Sequence, residues 1–361
     1  MRRSPFLRTR YEQQLRLAPT RAKQLALLAL AVAYFVVPSI LGESFWLTVL
    51  NFAGITAIGA VGLNLLTGYT GQVSLGHAAF LGIGAYTAGY LGVTRGYDLY
   101  VWLPAAAVLG ALVGGVVGLV ALRLRGNYLA IVTVGLVFLM QHVFRNWDTV
   151  TGGTRGLSAV RDDGGSAAAI GGLDFGRLEV FGQTYTLDQG FFFLIWGVLF
   201  LSLLVAKNVV RTNPGRAMQA VRDRDVAAEV VGVSLFRTKV GAFALASAFA
   251  AIAGALNGAF KGFVSPAEFN LLLSIQYVAI VIVGGVGTLY GAMLGALVIG
   301  ALPEIVGRYS DSIPFLAEPT ATTGVTPAIL SQILYGLLIV LFLMFEPGGW
   351  RRCGDGSRPI S

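Results

Sequence analysis

Residues 44–94 run SFWLTVLNFAGITAIGAVGLNLLTGYTGQVSLGHAAFLGIGAYTAGYLGVT, 51 residues without one Asp, Glu, Lys or Arg. Ionisable side chains are costly at the centre of a bilayer, so a charge-free run marks where a chain can cross. About 20 apolar residues suffice for one helical crossing. This run therefore holds two, and Thr67-Gly68-Tyr69-Thr70-Gly71-Gln72 is the turn expected between them. The rule extends outward in both directions. Single crossings are predicted from Gln24 to Leu41 and within 99–122, 126–144, 189–206, 240–260 and 319–345. The run Phe269–Pro303 accommodates two only if both are short, with Gly284-Gly285-Val286-Gly287 as their turn. The sequence thus predicts an all-α, polytopic transmembrane helical bundle of about ten spans (8–10).

Composition agrees. Hydrophobic residues make up 55% of the 361 and charged residues 12%, against about 25% charged in soluble domains. The 48 glycines suit helices that pack by close backbone approach. The formal charge is +8. The basic residues do not interleave with aromatics on one face, so no nucleic-acid partner is expected. They gather instead at the ends of apolar runs, as the positive-inside rule requires.

Loop charge orients the chain. Residues 1–23 form a basic arm with Arg2, Arg3, Arg8, Arg10, Arg16, Arg21 and Lys23 against Glu12, which puts the N-terminus in the cytoplasm. Arg123 and Arg125 fall on the same side. So does the loop 207–238, with Lys207, Arg211, Arg216, Arg222, Arg224 and Arg237 against Asp223, Asp225 and Glu229. The loop 148–188 is richer in acids and falls outside; its short alternating runs over Gly171–Thr186 suggest a hairpin that could seat a binding protein. The membrane domain spans 24–346, and a tail of weakly basic character covers 347–361. The single cysteine, Cys353, allows no intrachain disulfide. No small-x-small cleavage site follows the first apolar run, which is therefore read as a span.

Several chemistries lack their residues. The dipeptide Gly-Lys does not occur, so there is no P-loop and no ATP hydrolysis by that route. His77 and His142 have no cysteine or histidine at ligand spacing, and no metal site is expected. A Gly-x-Ser-x-Gly elbow is missing. No span centre holds an Asp or Glu, which argues against proton- or sodium-coupled carriage and for energy supplied by a partner.

Glycine spacing offers two further signals. Gly110, Gly114 and Gly118 form one stripe, Gly254 and Gly258 a second, and Gly287, Gly291 and Gly295 a third. Such stripes serve internal helix packing or a subunit interface. In addition, Gly68–Gly76 and Gly284–Gly291 look alike, each in the middle of an uncharged run. Interrupted apolar segments at corresponding places point to a transport pathway.

The segment Asn213–Val233 reads as two short helices. Asn213 is a candidate cap, Pro214 fits a first turn, a break is expected near Arg222–Asp225 with Asp223 or Asp225 capping the second helix, and Gly232 can end it. By physics alone this pair either docks in a groove of another protein or rests on anionic lipid.

Here the sequence resembles a known family. The Gly-Arg-Ala…Arg-Asp…Ala-Ala-Glu…Gly pattern of residues 215–232 resembles the ATPase-coupling loop of ABC-importer permeases. Residues 62–80, GLNLLTGYTGQVSLGHAAF, resemble the signature of branched-chain amino acid permeases, and Leu124–Thr133, Asn146–Asp148 with Thr151–Gly153, and Phe345-Glu346-Pro347 fit the same family. The resemblance implies an ABC importer permease fold. It also implies a complex: a second homologous permease, two cytoplasmic ABC ATPases carrying ATP and Mg, and an extracytoplasmic solute-binding protein, in a bacterial cytoplasmic membrane. This chain itself would bind no cofactor and be no enzyme. Leu, Ile or Val would be the solute, with urea or short amides as the alternative. On the resemblance, Gly215, Arg216, Ala220, Arg222, Asp223, Ala227, Ala228 and Gly232 face the ATPase. Two departures bear on this. Where many members have Gly-Glu-x-x-Arg in the fifth span, this chain has Phe138 and Gln141, and Gly348 and Trp350 replace the usual Arg and Leu of the tail.

A pathway that must release its solute needs polar, uncharged groups. Asn64, Tyr69, Gln72, Ser74 and His77 are the candidates, each of which could instead be a satisfied packing residue. A passive channel is the competing function, and it would have no use for the 207–238 loop. A membrane-embedded enzyme would need clustered acids, histidines or cysteines, which the chain lacks.

Overall fold

In lipid a backbone must satisfy its own polar groups, and the α-helix does so within one segment. The computed structural model describes residues 34–42, 44–122, 127–158, 179–180, 183–184, 186–309 and 327–345. Helices fall within each charge-free run where that run is described, residues 24–33 and 319–326 of the first and last runs lying outside the described residues. They are α1 (34–41), α2 (Phe45–Asn64), α3 (His77–Ala88), α4 (Leu99–Ala121), α5 (Asn127–Asn146), a single-turn α6 (Asp148–Thr151), and α7 (Leu187–Arg211). Then come α8 (Asn213–Asp223), α9 (Asp225–Val230), α10 (Leu235–Lys261), α11 (Leu271–Gly284), α12 (Leu289–Tyr309) and α13 (Pro327–Phe345). Six helices among the described residues are long and apolar enough to cross a membrane: α2 with its extension, α4, α5, α7, α10 and α12. α11 is shorter, at 14 residues.

The chain is mostly helical, with two small strand pairs. β1 (Leu157–Ser158) pairs antiparallel with β4 (Phe263–Val264), and β2 (Glu179–Val180) pairs with β3 (Gln183–Thr184). The second pair is the hairpin expected within Gly171–Thr186. The first joins segments about a hundred residues apart, and no local pattern announces it. The basic arm 1–23, Arg123, Arg125 and the tail 347–361 lie outside the described residues.

One boundary differs from expectation. α2 does not turn at Thr67. It continues as a π-turn over Leu65–Tyr69, and the Thr70 hydroxyl donates back to the Leu66 carbonyl. The break comes at Gly71, where φ is +68°, a conformation that suits glycine alone.

α10 is the hub. Its 27 residues pack against α2, α3 and α4, and it is lined with small side chains: Ala242, Ala246, Ser247, Ala250, Ala251, Gly254 and Gly258 are all buried. Without a hydrophobic force between helices in lipid, such residues gain dispersion by close approach. A methyl group on Gly84 of α3 would overlap the Ala251 carbonyl, and one on Gly254 would overlap the Leu81 carbonyl. The stripe Gly110–Gly118 lies on α10 as well, with Cβ positions against Ser247 and Val240. Gly291 and Gly295 meet α11. All three stripes therefore serve packing within the chain.

Polar ties fix the ends. Asp188, in the first turn of α7, accepts from the Thr48 hydroxyl (3.2 Å) through its carboxylate and from the Asn51 amide (3.0 Å) through its carbonyl. The Gln189 amide donates to the Pro38 carbonyl at 2.8 Å, holding α1 to α7.

Gly254→Val is expected to abolish recovery of monodisperse protein from membranes, since backbone on both sides must move at more than about 3 kcal/mol, the upper end of overpacking costs. Gly115→Ala, where a methyl meets nothing within 4 Å, should be recovered as well as the parent chain. Size-exclusion profiles of fluorescently tagged variants read both.

Candidate functional site

The two look-alike glycine stretches come together. α2 ends beside the α11–α12 turn, and Asn64 joins them: its carboxamide oxygen accepts from the Gly287 N–H at 2.8 Å and its amide donates to the Thr288 carbonyl at 2.7 Å. Asn64 is fully buried. Gly287 has φ +81°, and a methyl on Gly68 would overlap both Asn64 and the Gly287 backbone. Two helix breaks are thus in backbone contact, bridged by one side chain.

The 207–238 loop reaches this junction. Arg222, near the end of α8, donates from Nη1 to the Gly68 carbonyl at 2.6 Å. The same nitrogen lies against Gly287, and the Arg222 stem lies against Gly71. α8 follows Thr212, with Pro214 in the first turn as expected. Asn213 is not the cap; its carboxamide oxygen instead accepts from Arg216. The break falls at Arg224, and neither Asp223 nor Asp225 caps the second helix through its side chain. Asp225 pairs instead with the buried Lys239 of α10, 2.7 Å apart. That pair leaves the buried Lys239 ammonium with a counter-charge, while Arg224 occupies the cap position of α9. Gly232, φ +88°, follows α9 as expected. Gly215 and Ala228 are buried within the chain, and Ala220 is half-buried. Arg216, Asp223, Ala227 and Gly232 are exposed.

Beyond Gly71 the backbone enters the bundle without helical structure until His77. Ala78 N–H donates to Ser274 at 2.9 Å, and the His77 ring lies 4.8 Å from that of Tyr277. These partners sit seven and ten residues before Gly284, the end of α11 nearest the junction. At about 1.5 Å per residue, α3 begins roughly 10–15 Å inside the bundle. Non-helical backbone at such depth is tolerated where protein or a wet cavity satisfies it. Part of the task falls to α5, whose Thr133 hydroxyl accepts from Leu75 N–H at 3.0 Å.

The five pathway candidates therefore share one segment but not one condition. Asn64 is a structural bridge. Tyr69 is buried, and Ser74 is buried with its hydroxyl accepting from Gly76 N–H at 3.3 Å. Gln72 and His77 differ. Both are buried, yet both amide atoms of Gln72 and Nε2 of His77 have no hydrogen-bond partner among the described residues. Buried polar atoms ordinarily have one, so these groups suit a polar guest. Of the two departures on α5, Phe138 is 57% exposed and Gln141 is half-buried. Sequence reasoning missed Thr288, Thr133, Ser274 and the Lys239–Asp225 pair. The matching glycine stretches were the one signal that pointed to Gly287.

Residues 45–343 match the family described as branched-chain amino acid transport system / permease component. The chain is 32% identical to the high-affinity branched-chain amino acid transport system permease protein LivM of Escherichia coli strain K12, over 90% of this chain and 73% of that protein. It is 25% identical to LivH of the same organism, over 82% of this chain and 93% of that protein. It is also 30% identical to the autoinducer 2 import system permease protein LsrC of Enterobacter sp. strain 638, over 66% of this chain and 64% of that protein. No solved structure matches the chain significantly.

Asn64→Ala strands a buried N–H and a buried carbonyl. It is expected to cost about 2–4 kcal/mol and to lower the melting temperature of the purified chain by roughly 3–5 °C. An unchanged melting temperature would mean that the bridge contributes nothing.

Proposed function

The chain belongs to the branched-chain amino acid transport permease family, and from that premise we propose that it is the membrane-spanning subunit of an ATP-binding cassette importer for Leu, Ile, Val or related small amino-acid-like solutes. One observation carries the reading: Arg222, in the loop that would meet the ATPase, is bonded to the helix break where the non-helical segment begins. A passive pore would have no use for that link.

In this mechanism ATP binding closes two cytoplasmic ATPases, which hold the nucleotide and its Mg. Their motion enters through α8 and α9 and passes two ways. The Lys239–Asp225 pair carries it to α10, the hub of the bundle. Arg222 carries it to Gly68 and Gly287. The spans rock, and the segment Gly71–His77 is offered to one side and then the other. Gln72 and His77 supply polar, uncharged contacts that bind a solute without trapping it. A second, homologous permease completes the pathway, and resemblance to both LivM and LivH supports such a pair. An extracytoplasmic binding protein delivers the solute at the β1–β4 end, in a bacterial cytoplasmic membrane.

About ten crossings, with the N-terminus inside, fit this arrangement. The helices alternate so that Gly68, Arg222 and Gly287 share one end, while β1 and β4 meet at the other end of α10. The 14-residue α11 crosses in company, as a short helix against α12 and α2.

The tagged chain, extracted in mild detergent, is expected to bring down its ATPases, with turnover that rises on adding leucine-loaded binding protein. Arg222→Ala should keep the complex assembled and cut leucine-stimulated turnover between about 5- and 150-fold, the span of ordinary coupling energies. A chain that purifies alone and passes leucine into liposomes without ATP would replace the importer with a channel.

A further inference from the structure

Where α7, α8 and the start of α10 meet, they leave a cleft of about 910 Å³. Its lining is of two kinds. Arg216, Arg237, Asn213 and Ser234 are among its polar lining, and Val209, Met218, Gly241 and Leu245 among its apolar lining; Arg237, Gly241 and Leu245 follow one another at four-residue spacing along one face of α10, from its first turn inward. Val209 belongs to α7, which like α10 is of membrane length. Both arginines are exposed, and among the described residues the ion pairs, Lys239–Asp225 and Lys261–Glu268, involve neither of them. Two helix starts also open on the cleft. Asn213 and Pro214 begin α8, and Ser234 caps α10, accepting from Arg237 N–H at 3.4 Å. Helix N-termini carry partial positive charge. The two guanidinium groups and the two helix starts favour an anion, while Gly241 and Leu245 carry the cleft along α10 toward its apolar stretch.

We propose that this cleft binds one anionic glycerophospholipid, with its phosphate between Arg216 and Arg237 and an acyl chain along Gly241 and Leu245. A free phosphate has no use for the apolar lining. A neutral lipid has no use for two guanidinium groups that lie outside the ion pairs of the described residues, Arg216 donating only to the neutral Asn213 carboxamide. Basic pockets between membrane helices on the cytoplasmic side take acidic headgroups on the same physical grounds. The lipid would brace α8 against α7 and α10, stiffening the loop through which the ATPases act. The site rests on the membrane placement of α7 and α10 and not on import, so a chain that failed as an importer could still bind the lipid here.

Native mass spectrometry of the full chain, with whatever subunits co-purify, tests this directly. It is titrated with phosphatidylglycerol and with phosphatidylcholine of matched chains. Phosphatidylglycerol is expected to bind more tightly, and Arg237→Gln to reduce that preference about fivefold, the worth of one arginine at a membrane surface. Gly241→Leu should remove both lipids by filling the groove. A Cβ at Gly241 meets nothing within 4 Å, so the variant's melting temperature should match that of the parent chain. Equal binding of the two lipids, or identical binding in both variants, would overturn the proposal. So would competition by inorganic phosphate that is independent of acyl chain length, which marks a free-anion site. Lipid adducts excluded whenever ATPase subunits are bound would make the cleft a protein interface instead.

Discussion

A backbone N–H or carbonyl inside a membrane has no water to fall back on, and the fold is most exposed to that constraint where its helices break. Two breaks, at Gly68–Gly71 and Gly285–Thr288, are placed in contact, so that each helps to satisfy the other. Asn64 is the side chain that allows it. One carboxamide serves a donor and an acceptor of the opposite turn at the same time. A shorter residue would not reach, and an acid would offer no donor. Only glycine at 68 and 287 permits the approach, and only with the approach does the bridge close. The non-helical run to His77 depends on this anchor at its outer end and on Thr133 and Ser274 at its inner end.

Packing around α10 answers the same constraint on a larger scale. Helices in lipid gain little from burying leucine, because lipid is as apolar as leucine. They gain from contact density, and α10 reaches it by giving up side chains. The glycines facing it from α3 and α4 do likewise. The consequence is mechanical. A helix seated backbone-to-backbone on three neighbours moves with them, so a push on its first turn is shared by the bundle.

Much of this was legible in the chain. Charge-free runs located the helices because bilayer energetics act on composition, residue by residue. Gly232 and Pro214 fell where expected because helix ends obey local rules. The β2–β3 hairpin was legible for the same reason. What could not be read required knowing which distant residues meet. Nothing local says that Leu157 pairs with Val264, or that Asp225 passes over a cap for Lys239 fourteen residues on. Asn64 was legible as a buried polar residue on a span and illegible as a bridge, since its partners lie more than two hundred residues away. The π-turn at Leu65–Tyr69 escaped for a related reason: glycine and threonine read as a stop, while the tertiary contact keeps the helix wound past them.

The two contacts that join the 207–238 loop to the bundle differ in kind. Lys239 is buried, and breaking its pair with Asp225 would strand a charge, a cost of several kcal/mol. That joint is stiff. Arg222 is largely exposed and bonds a neutral carbonyl. On leaving, its guanidinium regains water, and the Gly68 carbonyl gives up a single hydrogen bond, worth about 1.5–3 kcal/mol when the donor is charged. That joint is the weaker of the two, and in the proposed transport cycle it is the one that would open first. A carboxylate at the Gly68 position would have made both joints stiff and fixed the breaks to the loop. The absence of any acid between Ser44 and Thr94, which lets this run cross a membrane, also keeps the contact between Arg222 and the Gly68 carbonyl free of an ion pair.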